Sequence, residues 1–245
     1  MSRSRPQQDE TLDAFYQGRV RVLQKRRGYR FSLDAPLLAD FIETRPGDVL
    51  LELGTGCGII ALLLALKPFR RLVALEIQPA LADLAGRNVG LNGLEGRIEV
   101  LEKDFRTYAA EERFDVVFSN PPYIRRRGGH LSLSPERSVA RHEVACDIFD
   151  IMAKTAELLA IDGRAYYIYP VRRMADFKTA LDRSGLGLRR LRLVLPREGA
   201  PANLFLAACG FGGGRTDQPA PLVLFGADGA YSAEAQEIFS GRSHD

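Results

Sequence analysis

The sequence predicts an α/β fold, with a mostly parallel sheet carrying helices on both faces. Three observations lead there. Strand-like runs at 48–53, 72–77, 97–101, 114–119, 164–169, 188–195 and 204–209 have helical stretches between most of them, at 58–67, 79–92, 143–160 and 172–184. Such alternation is the pattern of parallel strands covered on both sides. The first strand runs straight into a glycine-rich turn and then an apolar helix. Finally, 188–195 and 204–209 have no helix-length segment between them, which predicts an antiparallel pair at one edge of the sheet.

Taken in order, residues 1–14 are polar and are expected to fray. Residues 19–33 alternate around Gly28, which suggests a hairpin with Val20, Val22 and Leu23 on one arm and Tyr29, Phe31 and Leu33 on the other. Asp34-Ala35-Pro36 reads as the cap and first turn of a helix through Leu37, Leu38, Phe41 and Ile42, ended by Pro46-Gly47. After 204–209, Gly212-Gly213-Gly214 marks a turn before a final strand, Leu222 to Phe225, and a terminal helix, Ser232 to Phe239. The expected organisation is an N-terminal extension over 1–45, made of a basic hairpin and a lead-in helix, and one α/β domain over 46–245.

Composition narrows the classes. The 245 residues are 46% hydrophobic and 27% charged, enough to bury a full core. The longest apolar run, Ile59 to Leu66, is too short to span a bilayer, and no apolar segment follows the first residues as a signal peptide would require. Cys57, Cys146 and Cys209 are not in metal-ligand spacing and read as free thiols in a reducing cytoplasm. No metal site is expected. Net charge is only +3, but its arrangement is uneven. Arg19, Arg21, Lys25, Arg26, Arg27 and Arg30 crowd one early segment, and Arg125-Arg126-Arg127 follow directly on a Pro-rich corner. Further arginines cluster at 172–173 and 189–197. A triple arginine beside a reaction site suits a polyanionic substrate.

Glu52-Leu53-Gly54-Thr55-Gly56-Cys57-Gly58 is the first of two motifs that carry chemistry. Glycines at a strand-to-helix turn allow a ligand to approach the backbone closely. The third glycine comes too early for the dinucleotide fingerprint, which disfavours a nicotinamide oxidoreductase. Glu52 would also repel a pyrophosphate, whereas a cationic sulfonium with an amino-acid tail suits it. Glu76 closes the second strand, where a carboxylate can accept hydrogen bonds from both ribose hydroxyls. Asp104-Phe105 after the third strand offers an acceptor for an exocyclic amine beside an apolar ring. Thr55, Cys57, Gly58 and Ile77 complete the expected cradle, Cys57 mainly by packing at the turn.

Asn120-Pro121-Pro122-Tyr123, at the end of 114–119, is the second motif. An aromatic or amide amino nitrogen is a poor nucleophile because its lone pair is delocalised. Accepting both of its N–H protons favours a pyramidal nitrogen with the lone pair aimed at an electrophile. Asn120 offers a side-chain carbonyl and Pro121 a main-chain carbonyl held by the stiff Pro-Pro unit. Tyr123 offers a ring for stacking. His142-Glu143 reads as a helix start, and the Gly-, Ser- and Arg-rich stretch 124–141, with His130, as a long loop that is a lid or substrate contact.

Together these motifs resemble the class I, Rossmann-like methyltransferases that use S-adenosyl-L-methionine to methylate amino groups. Gly28 to Ala35, Arg141-His142-Glu143 and Pro196 to Leu204 are similar to the family that N6-methylates adenosine 37 beside the anticodon of a valine tRNA. The resemblance covers about residues 15–240. It implies a seven-stranded sheet with one antiparallel hairpin. It implies Glu52, Gly54, Gly56, Glu76 and Asp104 around the cofactor, with Phe31 and Asp34 closing over it, and Asn120, Pro121 and Tyr123 on the adenine. Arg26, Arg27, Arg30 and Arg125–Arg127 are the expected contacts to the tRNA backbone. Alternatives remain open: another RNA or DNA amino-methylase, a glutamine N5-methyltransferase of peptide-release factors, and a non-catalytic RNA- or cofactor-binding module on the same fold. Oligomeric state is not legible.

Overall fold

The computed structural model describes residues 6–26, 33–121, 147–212 and 214–241. Strands β3 (Val49–Leu53), β4 (Arg71–Glu76), β5 (Ile98–Glu102), β6 (Phe114–Ser119), β7 (Leu159–Pro170), β8 (Leu186–Arg197), β9 (Leu204–Phe211) and β10 (Leu222–Phe225) form one sheet in the order β5-β4-β3-β6-β7-β9-β8-β10. Strand β9 runs antiparallel to both neighbours, and every other pairing is parallel.

The sheet has eight strands where seven were expected. Strand β10 pairs with β8 through Leu222↔Val194 and Val223↔Leu195, so the antiparallel pair lies one strand in from the edge. Leu222 and Val194 are both buried there, so the added strand covers apolar surface that an open edge would expose.

Side-chain alternation splits the core into two layers. Leu50, Leu72, Ala74, Val116, Phe118, Tyr166 and Ile168 face α1 (Asp34–Phe41), α2 (Ile59–Leu64), α3 (Pro79–Leu91) and α6 (Ala233–Ser240). Their sequence neighbours Leu51, Val73, Leu75, Val117 and Tyr167 face α4 (Ile148–Leu158) and α5 (Met174–Ser184). Period-two alternation with both faces apolar is what makes these runs nearly continuous in hydrophobicity.

Helix boundaries differ in instructive ways. Asp34 is the first residue of α1 rather than its cap. That helix ends at Phe41, ahead of Pro46, and the Lys67 ammonium donates to the carbonyls of Ala39, Asp40 and Ile42. Helix α4 opens at an Asp147–Asp150 capping box. The predicted start at His142-Glu143 lies outside the described residues.

The N-terminal hairpin is a correction. Strand β2 (Val20–Lys25) pairs with the upstream strand β1 (Glu10–Phe15), in the segment expected to fray. Of the predicted second arm, Tyr29 and Phe31 lie outside the described residues, and Leu33 is in helical conformation just before α1. Polarity hid β1, because the residue it buries is a glutamate: Glu10 is 1% exposed and meets both guanidinium nitrogens of Arg87 on α3 at 2.8 Å. The Arg87 guanidinium holds the Glu10 carboxyl down at about 2 against an ordinary 4.5. A depressed carboxyl stabilises the fold above the ordinary value, and the contribution is lost as pH falls toward 2. Arg87→Met leaves Glu10 buried with Lys25 at 3.3 Å as its remaining cation, so unfolding stability should drop by about 3 kcal/mol. A urea titration showing less than about 0.5 kcal/mol of loss would contradict this, since that is the range of an ordinary surface change.

Candidate functional site

The chain order of the strands reverses between β3 and β6, and in open α/β sheets the crevice beyond that point is where ligands bind. Here the two strand ends are tied directly, since the Ser119 hydroxyl donates to the Leu53 carbonyl at 2.7 Å. This bond sets Asn120 beside the glycine turn. Sequence reasoning passed over Ser119, although a small hydroxyl residue ending an apolar strand, just before Asn120, was a usable signal.

The turn is pinned by its neighbours. The Leu75 carbonyl accepts the N–H groups of Gly54 at 3.0 Å and Thr55 at 2.9 Å. Glu76 Oε2 accepts the Gly56 N–H at 2.8 Å, while its Oε1 accepts the Gln78 N–H at 2.9 Å. Gly54 has φ +78° with open space where a Cβ would stand, and Gly58, at φ +86°, would bring a Cβ to 3.3 Å from that of Ala85 on α3. At Gly54 the backbone conformation requires glycine; at Gly58 conformation and close packing both do.

Glu52 is 1% exposed and accepts the Thr55 hydroxyl at 2.5 Å. Burial pushes its carboxyl up to about 8, with the nearby Glu76 charge adding to the rise and the Thr55 hydrogen bond opposing it. Glu76 is also buried. Each oxygen of its carboxylate holds one backbone N–H and retains a second lone pair. No described lysine or arginine forms an ion pair with Glu52 or Glu76. Two buried carboxylates, one with spare acceptor capacity, fit a cationic ligand bearing hydroxyls and do not fit a pyrophosphate. Among the described residues no group of His, Cys, Asp and Glu could hold a metal.

Of the remaining expected residues, Ile77, Asp104, Asn120 and Pro121 follow the carboxyl ends of β4, β5 and β6. The Lys103 N–H donates to the Glu76 carbonyl, which sets Asp104 beyond β5 next to Glu76. Arg106 occupies both Asp104 oxygens, at 2.7 to 2.9 Å, and lowers its carboxyl pKa. Asp104 is therefore already partnered, which the sequence did not foretell. Phe105 is packed into the second core layer, and Ile77 is half-buried just past β4. Cys57 is 1% exposed and burial pushes its thiol up to about 12, so the side chain acts at the turn by packing. Asn120 and Pro121 follow β6 directly. Asp34 is half-buried at the start of α1, and Arg26 is exposed, its Nε donating to the Glu10 carbonyl. Phe31, Pro122, Tyr123, Arg27, Arg30, Arg125, Arg126, Arg127 and the 124–141 loop lie outside the described residues. The arginines at 189–192 are committed to structure: Arg190 pairs with Glu43, Arg192 with Glu234, and Arg189 donates to the Phe211 carbonyl.

Comparison with known proteins gives matches in both sequence and fold. Residues 31–136 match the methyltransferase small domain family. A protein of Bacteroides thetaiotaomicron named tRNA1(Val) (adenine(37)-N6)-methyltransferase is 33% identical, over 71% of this chain and 73% of its own. Proteins of the same name are 32% identical in Shewanella amazonensis, over 74% and 78% of the two chains, and 30% identical in Aeromonas hydrophila, over 84% and 87%. Among solved structures, a predicted O-methyltransferase of Agrobacterium tumefaciens superposes with a TM-score of 0.65 at 22% identity, covering 85% of this chain and 96% of that one. The complex of aTrm5 with tRNALeu gives 0.58 at 14% identity, covering 83% and 53%. These two likenesses bear on the fold alone.

Proposed function

Because the chain belongs to the tRNA1(Val) (adenine(37)-N6)-methyltransferase family, we propose that it methylates the exocyclic N6 amino group of adenosine 37 in a valine tRNA, with S-adenosyl-L-methionine as donor. The observation that carries this reading is the pairing of family membership with a buried, glycine-lined turn at the β3–β6 crevice that holds the carboxyl groups of Glu52 and Glu76. When bound, S-adenosyl-L-methionine would supply an electrophilic methyl group on a positively charged sulfur, which would keep the electron pair of the broken S–CH3 bond and leave as a neutral thioether. Glu76, with its spare lone pairs, binds the ribose hydroxyls, and Glu52 balances the positive charge of the amino-acid end. Asp104 and Phe105 recognise the adenine of the cofactor, Asp104 sharing its carboxylate with Arg106. Thr55 holds Glu52, Ile77 lines the nucleoside, and Phe31 and Asp34 close over it. Asn120 and Pro121 accept the N–H protons of the target amine, and Pro122 and Tyr123 complete the stacking corner. Once the nitrogen has gained its methyl, a proton is lost to water. Reduced thiols and a tRNA substrate both suit the cytoplasm. No helix among the described residues is long and apolar enough to cross a membrane.

Incubation with methyl-labelled cofactor and unmodified tRNA transcripts, followed by nucleoside mass spectrometry, tests the reading. N6-methyladenosine at position 37 of valine tRNA is the expected product. Label in the glutamine of a release factor supplied in a parallel reaction, with none in tRNA, or cofactor binding with no product at all, would replace it with one of the alternatives above.

The backbone contact is proposed to run through Arg26, Arg27, Arg30 and Arg125–Arg127. Replacing Arg125–Arg127 by Ala should weaken tRNA binding and flatten its salt dependence by about 0.7–0.9 in log–log slope per lost phosphate contact. Unchanged affinity and slope would remove these arginines from the interface.

A further inference from the structure

We infer that Asn88 is a positioning residue for the cofactor turn, joining the N-terminal hairpin to the Cys57 carbonyl through one buried side-chain amide. The inference rests on the proposal that this turn holds S-adenosyl-L-methionine.

Asn88 lies in the body of α3, fully buried, where asparagine is a mediocre helix former. Its placement is explained by its hydrogen bonds. Oδ1 accepts the Leu23 N–H at 2.7 Å. Nδ2 donates one hydrogen to the Leu23 carbonyl at 3.0 Å and the other to the Cys57 carbonyl at 2.9 Å. Both donors are thus used, and the amide copies the edge of a missing strand beside β2.

Asn92, one helical turn later, repeats the first half of this arrangement. Its Oδ1 accepts the Arg21 N–H at 2.9 Å and its Nδ2 donates to the Arg21 carbonyl at 2.7 Å. Its remaining donor goes to the Asn88 carbonyl of its own helix. The two asparagines therefore dock the hairpin in the same way, and they differ in one respect: Asn88 also holds the turn.

That third bond has mechanical consequences. The Thr55 carbonyl is taken by the Gly58 N–H, and the Gly56 N–H by Glu76. Within this network Asn88 fixes the orientation of the peptide between Cys57 and Gly58. Without the donor, a carbonyl at a buried position would be left unsatisfied, and that peptide could rotate to seek another partner. Rotation would disturb the glycine surface against which the cofactor lies. A Cβ at Gly58 would stand 3.3 Å from that of Ala85, one turn earlier on α3, so the same helix limits the room at the turn and orients its peptide.

The full chain serves for the test, with Asn88→Asp and Asn88→Ala compared against Asn92→Asp and Asn92→Ala. Asp keeps the acceptor and removes the donors, while Ala removes both without adding charge. Calorimetric Kd for S-adenosyl-L-methionine should rise about tenfold in the Asn88 variants and less than about twofold in the Asn92 variants. Thermal midpoints should fall in all four. With tRNA present, KM for the cofactor should rise while kcat is held, a split that loss of folded enzyme would not produce. In the wild-type protein the Asn88 side-chain amide signals should shift and gain exchange protection on adding cofactor, and those of Asn92 should not. This readout survives if the variants fail to fold. Equal weakening by Asn88 and Asn92 variants, no weakening by either, or unresponsive Asn88 signals would overturn the inference with the cofactor reading intact. A wild-type protein that binds no S-adenosyl-L-methionine would overturn both.

Discussion

Asn120→Ala should lower kcat for tRNA methylation by about 10²–10³, the cost of removing one preorganised hydrogen-bonding group from a reacting centre. Affinity for tRNA should stay near that of the wild type. The argument begins with the strand that carries Asn120. Val116, Val117 and Phe118 are completely buried, and the Ser119 hydroxyl fixes the end of β6 to β3. The backbone leading into Asn120 is thereby rigid, and Pro121 limits the next dihedral. An acceptor held this way can direct an amine lone pair without reorganising during the reaction. The target nitrogen needs that direction, because conjugation with the ring makes it nearly planar. Asn120→Asp keeps an acceptor at the same reach and should retain more activity than Ala. Single-turnover rates at saturating cofactor give the comparison. A rate for Asn120→Ala within about threefold of wild type would show that the nitrogen is not activated by this side chain.

The sheet and its strand-to-helix turns were legible because their signals are local and repeated. Strands β3 to β6 announce themselves through apolar runs ending at Glu52-Leu53, Glu76, Glu102 and Ser119, each close to a turn or a polar residue. Glycines with positive φ can be expected wherever a strand must reverse into a helix. What stayed hidden depends on partners distant in sequence. Strand β1 looked like a frayed polar end, because its buried Glu10 makes sense only with Arg87 on α3. Strand β10 was legible as a strand, but its place outside β8 was not, since register follows from the surface it covers. Asn88 resembled any helix-interior asparagine until Leu23 and Cys57 came to its side. Asp104 follows β5 as its place after the third predicted strand suggests, and its pairing with Arg106 two residues away needed side-chain geometry that spacing does not supply.

Cofactor binding should depend steeply on pH, and Glu52→Gln should abolish that dependence. In the cofactor-free protein, burial raises the Glu52 carboxyl from 4.5 to about 8. The folded chain therefore keeps a proton that the unfolded chain releases above its ordinary value. The sign follows: stability of the cofactor-free protein falls as pH rises from about 4.5 to about 8, then levels off. A cationic ligand reverses the preference, because it is attracted to the carboxylate and not to the neutral acid. Binding below pH 8 must then expel the proton, so Kd should fall about tenfold for each pH unit between roughly pH 5.5 and 7.5. The upper limit keeps the amino group of the ligand itself in its charged form. Calorimetry in buffers of different ionisation enthalpy counts the protons directly. Close to one should be released at pH 6.5 by the wild-type protein and none by Glu52→Gln, whose uncharged amide also bonds Thr55 without needing to ionise. Glu52→Gln should accordingly be the more stable protein without cofactor at pH 8 and the weaker binder there. Binding by the wild-type protein that is flat in pH, with no proton released, would mean that Glu52 stays neutral beneath the cofactor and that the positive charge is balanced elsewhere.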